Sequence, residues 1–280
     1  MEIINVMKIP HFIKVMNYMY HLSSRNFKLY FKPAEFPEHD TIMENSVHWV
    51  GHSTTVINLY NNIIVTDPVL SNYLGYIKRM VKPSTYLNNL NTNYILISHG
   101  HMDHLDINTL MKLDKSSTVI VPPQYSKLFK LIGFAKVIPL RHNETYSDNN
   151  VSITCIKALH DGRRYYIGKN TCSNSYVIKC KDKSVLYAGD TAFTDAYKNI
   201  SVDAAIMPVG CYKPVEYEKM HCTPMQSFEM FKMMKSRIMI PVHYKTFILA
   251  QDEDYETENI LSKINDGTIK IINIGQTVTL

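Results

Sequence analysis

Paired cysteines and long apolar runs are missing from this sequence. Its 280 residues include five cysteines, an odd number, and no two of them have the C-x-x-C spacing. The count and the spacing argue against a disulfide framework and against a zinc knuckle, and they favour reduced thiols in a cytosolic protein. No stretch reaches the roughly 18 uninterrupted apolar residues that span a bilayer, and no secretory leader is visible.

Clustered positive charge is also missing. The formal net charge is +5, but it is spread along the chain, whereas nucleic-acid binders usually carry stripes of Lys and Arg. We therefore expect no nucleic-acid partner. The reduced thiols and the lack of a membrane-spanning run predict a cytoplasmic protein. The mild excess of positive charge is compatible with an anionic substrate or an anionic membrane surface.

Residues 1–45 are predicted to form a helical extension ahead of a main domain at 46–280. A helix is expected to begin at His11, directly after a proline. Residues 1–33 carry five basic side chains and one acidic side chain. The helix packs on the core or on a second subunit of a homodimer, or it lies on anionic lipid at the inner membrane surface. Its apolar stripe is predicted to contain Phe12, Val15, Met16 and Met19.

Short β-rich runs dominate from Val47 onward. VHWVG, TTVINLY and NIIVTDP predict strands, the last two joined by a turn at Asn61 and Asn62. NYILISH is typical of a strand buried on both faces, and Asp106 is the expected N-cap of the helix that follows it. The acidic run 251–258 is predicted to be a solvated loop. Many strands, with helices in both halves, favour two sheets packed face to face with helices outside.

The segment SHGHMDHLD places four potential metal ligands within six residues. It follows a buried strand, at the edge where open sheets carry their sites. His99 and His101 can point the same way in extended backbone, while Asp103 and His104 can point at a second position. Five histidines and two aspartates suffice for two ions that share a carboxylate. Zinc suits this ligand set best, and iron or manganese could also be held. The ligands from elsewhere, each following a predicted strand, would be His160, Asp190 and His243.

The order H-x-H-x-D-H, then LH, AGDT and PVH, resembles the signature of the metallo-β-lactamase superfamily. The resemblance implies an α/β (α+β) fold, an αββα sandwich with the metal site at one edge of the two sheets. It also implies which residues share a metal. One ion would be held by His99, His101 and His160, the other by Asp103, His104 and His243, with Asp190 bridging.

A narrower resemblance covers roughly residues 46–250. HWVGHSTTVINLYNNIIVTDPVLS looks like the start of the branch that contains N-acylphosphatidylethanolamine-hydrolysing phospholipase D, and LYAGDTAFTDAY, IMPVGCYKP, MHCTPMQS and VHYKTFIL resemble its later parts. The resemblance implies that Asp67 steadies a ligand imidazole and that His52 lies near the metals, where it could contact substrate. It gives catalytic parts to Asp103, Asp190 and His221. His221 would donate a proton to the leaving group or contact the substrate's anionic group.

Three further side chains are candidates for substrate contacts. Arg163 and Arg164 follow His160 closely and could clamp a phosphate, although both could equally be solvated loop charges. Tyr212 could reach the site from the end of its strand. The basic run 76–83 is either a solvated loop or a segment that attracts phosphate or a membrane surface.

Two divalent ions lower the pKa of a shared water and supply a hydroxide at neutral pH. We predict a dinuclear zinc hydrolase, a phosphodiesterase of the phospholipase D kind that acts on an anionic substrate, with an N-acyl phospholipid as one candidate. The alternatives are a lactonase or other carbonyl hydrolase of a small anionic metabolite, and a metal-stabilised scaffold without turnover. A lipid enzyme requires a wide apolar mouth beside the N-terminal helix, whereas a metabolite enzyme requires a small closed pocket.

Overall fold

A computed structural model of the chain describes residues 11–85, 87–167 and 172–280. The strands in these ranges are β1 (Ser46–Gly51), β2 (Thr54–Leu59), β3 (Asn62–Thr66), β4 (Tyr73–Leu74), β5 (Ile77–Lys78), β6 (Tyr94–Leu96), β7 (Thr118–Val121), β8 (Lys136–Pro139), β9 (Thr145–Ser147), β10 (Ser152–Asp161), β11 (Cys172–Cys180), β12 (Lys183–Tyr187), β13 (Ala204–Pro208), β14 (Ile238–Val242) and β15 (Thr277–Thr279). The α-helices are α1 (His11–Tyr30), α2 (Ile107–Lys112), α3 (Ser126–Ile132), α4 (Pro224–Met233) and α5 (Asp254–Ile264).

Two sheets carry most of the strands. The first has the order β15-β1-β2-β3-β6-β7-β8, and the second has the order β14-β13-β12-β11-β10-β9. Successive side chains of a strand point to opposite faces. Trp49 and Leu96 of the first sheet therefore join the core between the sheets, while Val50 and Ile95 pack against the outer helices. The predicted αββα sandwich is confirmed.

Strand direction brings the candidate site to one edge of this sandwich. In the first sheet β3 and β6 are parallel, and β1 runs the same way because β2 is antiparallel to both of its neighbours. In the second sheet β12, β13 and β14 are parallel, and β10 shares their direction through the antiparallel β11. The segments that follow these strands meet at the same edge.

The cap predicted for α2 is confirmed, but the loop predicted at 251–258 is wrong. Asp106 accepts a hydrogen bond from the backbone N–H of Asn108 at 3.1 Å. Helix α5 begins inside the acidic run, at Asp254. Carboxylates near the first turn favour a helix because they face its unpaired N–H groups, so a run of acidic side chains opens this helix instead of keeping the segment in solvent.

Helix α1 turns a different face to the protein than the one predicted. Met16 and Met19 are 53% and 42% exposed, whereas Leu22 and Asn26 are buried. The buried face is therefore rotated away from the predicted stripe. The side chains of Phe12 and Val15, and all of residues 1–10, lie outside the described residues. In the described part of the chain, no helix combines the length and the apolar character that crossing a membrane requires.

The basic run 76–83 is not a solvated loop. Lys78 Nζ donates to the carbonyls of Leu29 and Lys32, at 3.1 and 2.6 Å, and so satisfies the C-terminal end of α1. Arg79 is 1% exposed and donates to the carbonyls of Val69 and Ser71, at 2.6 and 2.9 Å. Both side chains hold the chain together at this edge of the sandwich, which corrects the interpretation drawn from their charge.

Candidate metal centre

The first predicted set of ligands is brought together by the structure. Ligand atoms of His99, His101, His160 and Asp190 all lie within 4.8 Å of one another. His101 Nδ1 is 3.0 Å from His99 Nε2 and 3.1 Å from His160 Nε2. An Asp190 oxygen lies 3.9 Å from both His99 Nε2 and His160 Nε2. Three imidazoles and a carboxylate oxygen thus face a common point, which is a donor set that zinc accepts.

The second predicted set also converges, with one addition. Asp103 Oδ2 lies 3.5 Å from both His104 Nε2 and His243 Nε2. Asp190 Oδ2 is 3.2 Å from His104 Nε2, and its Oδ1 is 3.1 Å from His243 Nε2. Asp190 therefore belongs to both sets, as a bridging carboxylate would. His52 Nε2 lies 3.0 Å from Asp103 Oδ2 and joins this set.

The polar atoms at the centre fit cations. Among the described residues, His104 Nε2, His243 Nε2 and both oxygens of Asp190 are buried without a hydrogen-bond partner. Buried polar groups are nearly always satisfied, so atoms that lie about 3 Å apart without hydrogen-bond geometry are best explained as ligands aimed at an ion. Two divalent cations would satisfy all of them.

Electrostatics at the two sets support the same interpretation. Burial and the neighbouring imidazoles of His104 and His101 hold the pKa of His99 well below its ordinary value, so this ring is neutral and its lone pair is available. In the second set burial opposes protonation, but the carboxylates of Asp190 and Asp103 raise the pKa of His104 well above its ordinary value. That position attracts positive charge strongly.

Asp67 holds a ligand ring as predicted. Its carboxylate accepts hydrogen bonds from His104 Nδ1 at 2.6 Å and from the Ser98 backbone N–H at 2.7 Å. It also accepts from the hydroxyl of Tyr187. The bond to Nδ1 fixes the tautomer that leaves Nε2 free for a metal. The carbonyl of Met220, which accepts from His160 Nδ1 at 2.7 Å, does the same for His160. Neither this partner nor Tyr187 was predicted, because no local pattern marks a hydrogen bond between residues so far apart in the chain.

The backbone at the centre adopts an uncommon conformation. His52, Asp67, Cys211 and His243 have φ values of 53°, 32°, 64° and 69°. Such left-handed backbone is uncommon for residues other than glycine, and it occurs here in the turns that follow strands of both sheets.

His221 lies at the centre, as predicted. Its ring centroid is 4.9 Å from that of His160 and 5.6 Å from that of His243. Its Nδ1 is 3.7 Å from Asp190 Oδ2 and faces the two sets of ligands.

The substrate contacts predicted from position need correction. Arg163 forms an ion pair with Asp161 at 2.6 Å, and Arg164 donates to the carbonyls of Gly100 and Leu105 at 3.1 and 2.7 Å. Arg164 therefore braces the ligand loop. The Tyr212 hydroxyl forms a hydrogen bond with Thr257 at 3.2 Å and packs on α5.

His52 and Gly100 both lie in tightly packed surroundings. His52 is 1% exposed and contacts Asp103 from behind, so a metal or positioning contact fits it better than a substrate contact. The resemblance implied a position near the metals for His52, and the direction of β1, parallel to β3, accounts for that position. A Cβ on Gly100 would lie 2.0 Å from the Tyr125 hydroxyl oxygen, which donates to the Gly162 carbonyl at 2.6 Å. Any side chain at position 100 would therefore require the Tyr125 ring to move.

Comparisons with known proteins show which family the chain belongs to. The family model of the beta-lactamase superfamily domain matches residues 62–244, more than half of the chain. N-acyl-phosphatidylethanolamine-hydrolyzing phospholipase D 1 of Caenorhabditis elegans is 26% identical over 246 residues, covering 78% of this chain and 69% of that protein. A metal-dependent hydrolase of Bacillus cereus is 25% identical over 245 residues, covering 84% and 99%.

A solved structure shows the same fold. The isothiocyanate hydrolase from Delia radicum gut bacteria superposes with a TM-score of 0.69 at 16% identity, covering 84% of this chain and 98% of that one. The match to the family model shows that the chain belongs to the beta-lactamase superfamily, among relatives named metal-dependent hydrolases, and the prediction of a metal-dependent hydrolase is confirmed.

Proposed function

We propose that this metal-dependent hydrolase is a dinuclear zinc phosphodiesterase of the phospholipase D kind, and that its substrate is an anionic N-acyl phospholipid. The observation that carries the proposal is the set of exposed aromatic side chains near the end of helix α1, and exposed apolar side chains also occur on loops that follow ligand-bearing strands. Phe193, three residues after Asp190, is 41% exposed, and Ile167, on the loop after β10, is 76% exposed. Exposed apolar side chains suit acyl chains better than a small polar metabolite.

The ligand sets supply the chemistry. His99, His101 and His160 would hold one ion, and Asp103, His104 and His243 the other, with Asp190 shared. When bound, such a pair polarises a phosphoryl oxygen and activates water at neutral pH. The shared carboxylate of Asp190 fixes the spacing between the two positions, and Asp67 keeps the ring of His104 oriented toward its ion.

His221 would handle the proton of the leaving group. It lies beside both ligand sets, its Nδ1 faces them, and its side chain is 11% exposed. Burial holds the pKa of His221 well below its ordinary value, so the ring is neutral at rest. It would accept the proton of the attacking water at Nδ1 and pass that proton to the alkoxide as the bond between phosphorus and the headgroup oxygen breaks. Placement of such an acid typically contributes about 10²- to 10⁴-fold to a rate.

Helix α1 would carry the protein onto an anionic bilayer. Phe27, Tyr30 and Phe31 are exposed, and the ring centroids of Phe27 and Phe31 lie 5.2 Å apart. Tyr30 stacks on the exposed Tyr73 of β4 at 6.1 Å, so the aromatic patch extends beyond the helix. Exposed lysines follow these rings, and residues 11–34 contain no acidic side chain. Apolar rings beside uncompensated positive charge match the surface of an anionic membrane.

The substrate is tested with N-acylphosphatidylethanolamine vesicles and the zinc-loaded protein, with phosphatidic acid followed by mass spectrometry. We expect release that Asp190→Asn abolishes and that Asp195→Asn, at an exposed aspartate five residues along, leaves unchanged. Absence of release from protein that holds two metals per chain would overturn the lipid proposal. A panel of anionic lactones would then test the carbonyl-hydrolase alternative.

Membrane contact is tested by sedimentation with phosphatidylserine-containing vesicles. We expect the double variant Phe27→Ser, Phe31→Ser to sediment less than the wild type, and both to be released by high salt. The matched control is Leu131→Ser, since Leu131 of α3 is 85% exposed and lies outside the patch. Equal sedimentation of all three proteins would contradict the contact.

A further inference from the structure

The face of helix α1 opposite the aromatic patch forms hydrogen bonds with a segment beside the candidate metal centre. Tyr18, Leu22, Arg25 and Asn26 follow helical spacing, and we call these four residues the inner face. Tyr18, Arg25 and Asn26 contact residues 248–253, a segment that follows the loop of His243 and precedes α5. Helix α1 is thus in direct contact with a loop of the centre.

Three successive carbonyl groups of this segment are held by the inner face. Asn26 Nδ2 donates to the carbonyl of Ile248 at 3.0 Å, and the Tyr18 hydroxyl donates to that of Leu249 at 3.1 Å. Arg25 Nη1 donates to the carbonyl of Ala250 at 2.7 Å. The segment contains neither a helix nor a strand, so these side chains supply partners that regular secondary structure would otherwise provide.

The segment 248–253 is coupled to the second ligand set. Phe247 directly precedes it and lies edge-on to the ring of His52, with centroids 5.4 Å apart. His52 in turn contacts Asp103 Oδ2, and its ring lies 4.2 Å from that of His243. A shift of residues 247–250 would therefore change the surroundings of both Asp103 and His243.

A second contact of the inner face leads to the first ligand set. The rings of Tyr18 and Tyr217 lie 5.4 Å apart, and those of Tyr217 and His221 lie 6.3 Å apart. Met220, between these two residues, supplies the carbonyl that orients His160. The hydrogen bonds of the inner face to residues 248–250 thus lead to the second ligand set, and the ring contacts through Tyr217 lead to the first. Because the hydrogen bonds are the more numerous, we expect the stronger effect on the second set.

We propose that Tyr18, Arg25 and Asn26 are positioning residues for the metal centre, and that they act mainly on the ion held by Asp103, His104 and His243. They act through the 247–250 segment and His52 and touch neither metal nor substrate. The inference rests on the proposed two-metal centre but not on the identity of the substrate. It gives the two faces of α1 separate tasks, because the outer aromatic patch meets lipid and the inner face fixes the geometry of the ligands.

The test measures zinc stoichiometry and affinity, and the visible spectrum of the cobalt-loaded protein, for Arg25→Ala and for the double variant Arg25→Ala, Asn26→Ala. We expect the first equivalent of metal to bind as in the wild type and the second to bind about tenfold more weakly, a change typical of residues that orient metal ligands. The cobalt spectrum should change because the ligand geometry of one ion changes. Tyr18→Phe, which keeps the ring and removes the hydroxyl, should show a smaller change of the same kind.

The controls separate this proposal from its alternatives. Tyr20→Ala, on the exposed side of the same helix, should bind both metals with wild-type affinity and spectrum. Arg25→Lys, which keeps one donor, should restore part of the affinity and covers the case in which the double variant fails to fold. Wild-type binding and spectra in the inner-face variants would overturn the inference, and so would an equal weakening of both ions. A wild-type protein that binds fewer than two metals would instead overturn the proposed centre.

Discussion

At the scale of single residues, the hydrogen-bond partners of a histidine determine whether it can bind a metal, carry a proton or link parts of the structure. Asp67 shows how one carboxylate makes that choice for its neighbour, since its bond to His104 Nδ1 at 2.6 Å leaves only Nε2 for a metal. The backbone carbonyl of Met220 likewise accepts a hydrogen bond from His160 Nδ1 and leaves Nε2 for a metal. The imidazoles of His104 and His160 are therefore oriented by groups that lie behind them.

Replacing Asp67 by Asn should weaken metal binding by about 10- to 100-fold, because the amide no longer orients His104 as a charged acceptor. Metal analysis after dialysis against a zinc buffer measures this. Asp148→Asn is the matched control, since Asp148 also accepts from tyrosine hydroxyls, those of Tyr94 and Tyr146, but belongs to neither ligand set. Equal metal loss in both variants would exclude the role of Asp67.

Replacing His221 by Gln should lower the rate on diesters of poor leaving groups by about 10²-fold or more. The effect should be much smaller on p-nitrophenyl diesters, because p-nitrophenolate leaves without a proton. Rates on the two kinds of substrate are compared for the wild type and the variant, with metal content held equal. The same loss on both substrates would show that His221 binds the substrate and does not donate a proton.

The buried imidazole of His48 should make the free energy of unfolding depend on pH. Burial lowers the pKa of its imidazole to about 4, while Ser84 and Thr277 hydrogen bond to its two nitrogens at 2.8 Å each. The unfolded chain binds a proton near pH 6.5 and the folded chain does not, so stability falls as the pH drops from about 6.5 to about 4, by roughly 2–3 kcal/mol. Urea unfolding of wild type and His48→Gln should show this slope reduced in the variant. Parallel slopes would contradict the assignment.

At the scale of elements, sequence patterns were most reliable where one physical rule acts alone. The apolar runs before His99, His160, Asp190 and His243 predicted buried strands, and the ends of parallel strands had to meet. The Asp106 cap was recoverable because a cap depends only on local spacing.

Other elements depend on contacts that no local pattern contains. The burial of Arg79 follows from two carbonyls and from the ring of Phe247, 4.6 Å from its guanidinium carbon, all remote in sequence or in an irregular loop. The face of α1 that is buried depends on residues 248–250, more than 200 positions away. Charge alone therefore predicted solvent exposure for Arg79, and periodicity alone predicted the wrong stripe for α1.

Helix α4 begins three residues after His221 and has a complete capping box. The Thr223 hydroxyl accepts from the Gln226 backbone N–H at 3.2 Å, and the Gln226 side chain accepts from the Thr223 N–H at 2.9 Å. Thr223→Ala should lower the free energy of unfolding by about 1 kcal/mol, measured by urea denaturation. Glu229→Ala, at an exposed position of the same helix, should change it by less than about 0.5 kcal/mol. Equal effects would show that the cap contributes little.

At the scale of the whole molecule, the metal centre joins the two sheets. Asp103 and His104 follow a strand of the first sheet, while His160, Asp190 and His243 belong to the second, so each of the two proposed ions would take ligands from both sheets. Bound zinc should then stabilise the sandwich as a cross-link at one edge.

Chelation should lower the Tm, and added zinc should restore it with a dependence on zinc concentration. Zinc at 1,000 times its Kd stabilises by about 4 kcal/mol, which corresponds to a shift of roughly 10 °C for a chain of this size. Calorimetry across a series of zinc buffers measures this, with Asp190→Asn as the control that should respond less. A Tm independent of zinc would show that bound zinc contributes nothing to the stability of the fold.

The left-handed backbone at His52, Asp67 and His243 bears on how such a centre could decay over evolutionary time. A lineage released from selection for metal binding would still have to keep these turns, because the sheets on either side depend on them. Asparagine and glycine tolerate the conformation, whereas β-branched residues do not. Related proteins that no longer bind metal should therefore have mainly asparagine or glycine at these three positions. These residues would mark the former metal site in a sequence that has lost its ligands.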